Sequence, residues 1–187
     1  MQGLKSFPWT GCLWLLVVAG AAAGCQSSAR SASDPQRLHP ATTISELMEN
    51  RIDPSADALW DSVAFIASKS HVEDRRPRTD AEWQAVRDHA VTLIEAANLL
   101  GMPGRRVKNH PAPAGPGELS MDEIQKRVEA SPAGFAALAG GLVEATLRAV
   151  AAIDAKDPQA LMDAGSMIDE ACEACHVAYW YPGQTRP

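Results

Sequence analysis

The sequence predicts an all-α chain, an antiparallel four-helix bundle, and three observations carry that expectation. Aromatic residues make up 5% of the 187 positions and β-branched residues are sparse, a composition that favours helix over sheet. Apolar residues recur at threes and fours along four long stretches, one face of a helix each time. Capping or breaking residues bracket those stretches, and their connections are short or medium, so sequence neighbours pack antiparallel.

The first helical stretch begins at Thr43. Ile44, Leu47, Met48, Ile52, Ala56, Leu59, Trp60, Val63 and Ile66 form one apolar stripe. Pro54 interrupts it, with Asp53 placed to cap a fresh start, so this helix is expected kinked or in two pieces. The second opens on Thr79-Asp80-Ala81-Glu82, a capping box. It buries Trp83, Val86, Ala90, Leu93, Ile94, Ala97 and Leu100, and Gly101 is expected as a left-handed cap ahead of Pro103. Residues 101–119 read as a long loop, of the kind that is often functional or mobile. Ser120-Met121-Asp122-Glu123 is a second capping box, opening a short piece through Val128. Ser131-Pro132 then restarts a longer helix through Phe135, Leu138, Leu142, Ala145, Val150 and Ile153. Asp157-Pro158 supplies an N-cap and first-turn proline. The last helix buries Leu161, Ala164, Ile168, Ala171, Cys172 and Cys175 and runs to about Tyr181. No strand pattern is read anywhere.

Residues 1–24 are read as a secretory signal of lipoprotein type. Lys5 precedes a short apolar run, Gly11–Gly20, too short to span a bilayer as a mature helix. The run leads to Ala22-Ala23-Gly24-Cys25, which resembles a bacterial lipobox and implies lipidation of Cys25; ordinary cleavage at a nearby A-x-A-like site is the alternative. Residues 25–42, polar and aperiodic, are read as a flexible tether, and residues 43–187 as the folded domain. The net charge is −6 over the whole chain, and no basic cluster resembles a nucleic-acid footprint. With Cys12 in the signal and Cys25 at the anchor, only Cys172 and Cys175 remain in the domain.

Those two belong to Cys172-Glu173-Ala174-Cys175-His176, the C-x-x-C-H pattern of c-type haem attachment. Residues three and four apart share a helix face, so both thiols can reach the two vinyl groups on one haem edge while His176 sits beside the iron as axial ligand. A zinc site needs further ligands at suitable spacing, and none is spaced for it. A thioredoxin-like C-x-x-C belongs at a helix N-terminus in a βαβ setting, whereas this pair lies near the end of a helix. One covalently attached haem c is the cofactor expected.

A C-x-x-C-H in the last helix of a four-helix bundle resembles the cytochrome c-prime family. The segments Met48–Trp60 (MENRIDPSADALW), Trp83–Gly104 (WQAVRDHAVTLIEAANLLGMPG) and Asp169–Pro182 (DEACEACHVAYWYP) are similar to those of its exported members. In that family the residue on the far side of the iron comes from the first helix. An apolar side chain there leaves gas-accessible iron; a methionine, in the cytochrome c-556 type branch, gives low-spin iron suited to electron transfer. Met48 is the methionine on the core-facing stripe of the first helix, so the resemblance implies Met48 as sixth ligand. By topology alone Met102 and Met121 are also candidates, and a gap-filling core methionine is the plain alternative for Met48. Met162 and Met167 stand on the same helix as His176, and Met167 is roughly 13 Å away along its axis.

His110 is a further ligand candidate; His39, His71 and His89 read as tether, connector and surface. Arg51, Arg105 and Arg106 are candidates for the haem propionates, with solvated arginines as the alternative. Trp60 and Trp83 read as packing residues, and Tyr179, Trp180 and Tyr181 as covering the haem edge or closing the bundle end. The lipobox-like signal implies an exported, membrane-anchored protein facing the periplasm, and the family resemblance implies an electron carrier without enzymatic activity, working between redox proteins. Gln26-Ser27 after Cys25 favours the outer membrane over the inner by analogy with sorting signals. A gas-binding or sensing haem protein for NO or CO is the alternative. The family frequently forms homodimers through its first two helices.

Overall fold

The computed structural model describes residues 38–67, 69–110 and 113–183. The expected signal, the lipidation site Cys25 and the tether as far as residue 37 lie outside them. The described residues are mostly helical: α1 (Ile44–Leu47), a π-helical turn (Met48–Ile52), α2 (Asp53–Ser62), α3 (Asp80–Leu100), α4 (Met121–Ala130), α5 (Pro132–Asp154) and α6 (Pro158–Tyr179).

Helix starts are where the sequence places them, because each satisfies its own orphan amides. Thr43 Oγ1 accepts from Glu46 N and the Glu46 carboxylate accepts from Thr43 N; the Thr79/Glu82 and Ser120/Glu123 boxes close the same way. Asp157 accepts from Gln159 N and Ala160 N ahead of Pro158. The first two amides of α1 find partners outside their helix: Ile44 N donates to Arg106 O and Ser45 N to Val107 O. The 101–119 loop is thereby tied to the start of α1, and Val107, which donates its N–H to Gln125 Oε1, is itself buried.

Of the two alternatives at Pro54, a kinked helix or two separate pieces, the second does not occur. The backbone stays helical through Met48 and Asp53, and a widened turn replaces the break, with Asp53 N donating to Met48 O five residues back. Pro54 has no N–H for the carbonyl of Asn50; Arg51 Nη1 donates to that oxygen at 2.8 Å instead. Such π turns are rare and often found at functional sites.

Two expectations are corrected. The stripe ends at Val63, and Ala64–Ala67 (β1) pairs antiparallel with Val72–Arg75 (β2). Ile66, read as part of the helix stripe, is 54% exposed on β1. The run Val63-Ala-Phe-Ile is rich in β-branched and aromatic residues, which suit a strand. Gly101 is right-handed (φ −72) and not a left-handed cap; the positive φ falls on Gly104 (+78). Small size is what Gly101 provides, since a β-carbon there would sit 3.4 Å from that of Ala136 on α5.

The core forms where α5 packs on α6 and α3, and α3 on α2. Leu93, Ile124, Ile153, Leu161 and Ile168 are almost wholly buried in it. α5 is long and apolar enough to cross a membrane by length and composition, but Phe135, Ala139, Leu142, Ala145, Ala149 and Ile153 are buried within this core. α2 meets α6 over a shorter stretch, and the space between them holds the candidate site.

Candidate functional site

Regular helix carries Cys172, Cys175 and His176 on the last two turns of α6. Cys175 is buried and Cys172 half-buried, and both thiols are free. Both face a cavity of about 220 Å³ between the π turn, α2, α5 and α6. Met48 and Ile52 line it from the π turn, Leu138, Ala139 and Leu142 from α5, and His176 from α6; Leu100, at the end of α3, closes it. The structure thus brings together all four of the domain's expected cofactor residues, Met48, Cys172, Cys175 and His176, on one mainly apolar cavity.

The cavity continues in two directions. Through Met48, Asp53 and His176 it adjoins a space of about 290 Å³, lined also by Lys108, Met121, Trp180 and Tyr181. Through Trp60 and Asp169 it adjoins a groove of about 540 Å³. The central space alone is below the roughly 300–1,000 Å³ of sites for medium-sized organic ligands, and the three together exceed that range. Two thiols, an imidazole and a thioether on an apolar lining form a donor set that could hold a covalently attached haem.

Burial is the main cause that pushes both thiols up to about 11; for Cys172 the carboxylates of Asp169 and Asp53 add to it, and for Cys175 the neighbouring Cys172 does. These are protonated thiols at neutral pH. Dithiol oxidoreductases lower the pKa of their attacking cysteine, the opposite of what this site does. Burial likewise raises the Asp53 carboxyl; the charge of His176 opposes that rise, and Asp57 and Glu49 add to it.

Aromatic residues close the far end of α6. Tyr179 is buried edge-on against Phe135 (5.1 Å, 84°), and its hydroxyl donates to Ser131 O. The rings of Trp180 and Tyr181 each lie 6.0 Å from that of His176, and Tyr181 Oη donates to Glu173 Oε2 at 2.7 Å. Trp60 spans the groove, donating its indole N–H to Gly165 O at 3.0 Å. A β-carbon at position 165 would come within 3.1 Å of that ring, so glycine is what lets α2 approach α6 here.

Several candidates fall elsewhere. Arg105 is buried, but away from this cavity: its guanidinium donates to Leu99 O, to Thr42 O and Oγ1, and to Met102 Sδ. That clasp also engages Met102, and it fixes Thr42, which the sequence assigns to the tether. Arg51 turns to Asn50 O, Arg106 is exposed, and His110 is exposed and does not line the cavity. Met121 stands in the adjoining space with Met48 and His176. Lys108, which sequence reasoning passed over, is the only lysine or arginine lining these three spaces and lies 3.8 Å from Glu49. Asp53, Asp57 and Asp169 were also missed; the three-residue step from Asp169 to Cys172 is the one signal that could have placed any of them.

Arg105→Met keeps the aliphatic stem and removes the clasp. A loss of about 2 kcal/mol in urea denaturation is expected, because charge-assisted, partly buried hydrogen bonds to the carbonyls of Leu99 and Thr42 are lost. Properties that depend on the cavity between α2 and α6 are expected to stay unchanged.

Comparison of the chain with family models, curated proteins and solved structures finds no match.

Proposed function

We propose that this protein is an exported, lipid-anchored, monohaem c-type cytochrome that passes single electrons between redox proteins. In this reading the helices form an antiparallel four-helix bundle, with α1, the π turn and α2 as its first member, α3 as the second, α4 and α5 as the third, and α6 as the fourth. The observation that carries the proposal is that Met48, more than 120 residues before the C-x-x-C-H in the chain, lines the same cavity as Cys172, Cys175 and His176.

A haem bound there supplies a one-electron iron couple. Cys172 and Cys175 would hold the group through thioether bonds, each formed by adding a thiol S–H across a vinyl C=C bond. His176 would offer its imidazole to the iron and Met48 its thioether, since both line the same cavity. Leu138, Ala139, Leu142 and Ile52 exclude water, which tunes the potential through the local dielectric. Trp180 and Tyr181 restrict the setting of the His176 ring. Lys108 stands where it can meet a propionate. A zinc centre has less support: among the described residues no three His, Cys, Asp or Glu side chains group as metal ligands, whereas structural zinc takes four.

The test is the visible and near-infrared spectrum of protein matured with haem, oxidised and reduced. Sharp low-spin reduced bands with a weak near-infrared sulfur band support the carrier. High-spin iron that takes up carbon monoxide readily would transfer the proposal to a gas-binding protein. A chain that acquires no haem would end both.

A further inference from the structure

The hairpin of β1 and β2 takes no part in the site and leaves its apolar side chains bare. Phe65 is 63% exposed, Ile66 54% and Val72 63%, three of the four most exposed large apolar residues among those described. Exposed apolar groups gathered in one place mark interaction surfaces. Phe65 pairs across from Asp74 and Ala67 from Val72, on one face of the ribbon, while Ile66 pairs with Glu73 on the other. Both faces therefore carry uncovered apolar groups. A protein partner or a second copy presents one surface and covers one face; a fluid medium surrounds both.

Charge selects the medium. The hairpin Ala64–Arg75 is itself neutral, with Lys69 and Arg75 against Glu73 and Asp74, and Asp61 lies 3.7 Å from Arg75. The basic excess comes from Arg76 and Arg78 directly after it, in a chain whose overall charge is −6. Glu73 and Asp74 are held at 2.7 and 3.0 Å by Arg75 and Arg76, while Lys69 is exposed. We propose that the hairpin Ala64–Arg75 is a membrane-contact element, seating Phe65, Ile66 and Val72 at the headgroup level of a bilayer that contains anionic lipid. Both strands are edges with unpaired backbone groups, which limits entry to the wet interfacial layer. β2 leads into the N-terminus of α3, whereas the cavity lies at its C-terminal end, where Leu100 closes it. At 1.5 Å per residue the 21 residues of α3 are about 32 Å long, so hairpin contact turns the cavity away from the membrane. This inference does not depend on the haem reading.

Hydrogen–deuterium exchange of the full chain tests it, alone and with vesicles of phosphatidylcholine or of phosphatidylcholine with phosphatidylglycerol. The amides of Ala64–Arg75 are expected to slow only with the anionic vesicles, and high salt reverses the effect. Anchoring through Cys25 would act equally on both vesicle types and leaves this comparison intact. Lys69→Glu, which alters no hairpin pairing, is expected to weaken the response about fivefold or more, and Phe65→Ser with Ile66→Ser to abolish it. No slowing, or equal slowing by both vesicle types, overturns the proposal. Slowing that grows with protein concentration and without vesicles also overturns it, assigning the face to a second copy.

Discussion

Met48→Ala is expected to convert the haem-loaded protein from low-spin to high-spin iron. The near-infrared sulfur band disappears, the reduced bands broaden, and carbon monoxide binds where it did not before. A thioether ligand stabilises the reduced iron, so the midpoint potential is expected to fall, on the order of 100 mV within the roughly 0.8 V that axial ligands govern. Packing alone does not account for such changes. Met48 is only half-buried, and its truncation costs at most about 2 kcal/mol, the low end for core methionines. Met48→Leu separates the two contributions, because it keeps the volume and removes the sulfur; it is expected to give the same spectra as alanine with near-native stability. Unchanged spectra in both variants would remove Met48 as a ligand and leave Met121, which lines the adjoining space together with His176, as the methionine to replace next.

The largest effect is expected from Cys172→Ala combined with Cys175→Ala. Denaturation followed by acid–acetone extraction leaves haem with the wild-type polypeptide and removes all of it from the double variant. Each single variant retains one thioether and shows a shifted reduced band. A group that binds only the folded state stabilises it by about 2.7 kcal/mol at a hundredfold excess over its dissociation constant, and covalent attachment makes that gain independent of haem concentration. The double variant is therefore expected to unfold at markedly lower urea, with a midpoint that rises when haem is added. Haem that resists extraction from the double variant would show that attachment does not run through these cysteines.

The residues that announced themselves in the sequence are those whose partners are close along the chain. Thr43, Thr79, Ser120 and Asp157 cap amides two or three residues away, and their helices begin as expected. The C-x-x-C-H is contiguous and its placement on one helix face follows from spacing alone. Met48 was legible only with help from a family resemblance, because nothing local distinguishes a ligand from a packed methionine. The hairpin escaped notice since Val63 and Ile66 continue the three-residue step of the preceding helix, and only pairing with Val72–Arg75 fixes the strand. Arg105 escaped for a different reason: two of its guanidinium's four partners are backbone oxygens, which any sequence possesses. The acidic lining residues Asp53 and Asp57 come from a helix more than a hundred residues away from the motif, a distance that no pattern on α6 encodes.

The clasp made by Arg105 has a mechanical consequence. Whatever pulls on the chain from the N-terminal side reaches Thr42 first, and Thr42 is fastened to Arg105 by its carbonyl and its hydroxyl. Just beyond it, Ile44 and Ser45 are bonded to the carbonyls of Arg106 and Val107. Tension is thus borne by several bonds to the segment after α3 before it meets Met48, which is held in the next turn. If the proposed haem is bound beside Met48, a pull from the N-terminal side is expected to leave its spectrum and potential steady, because the strain is taken up one turn earlier.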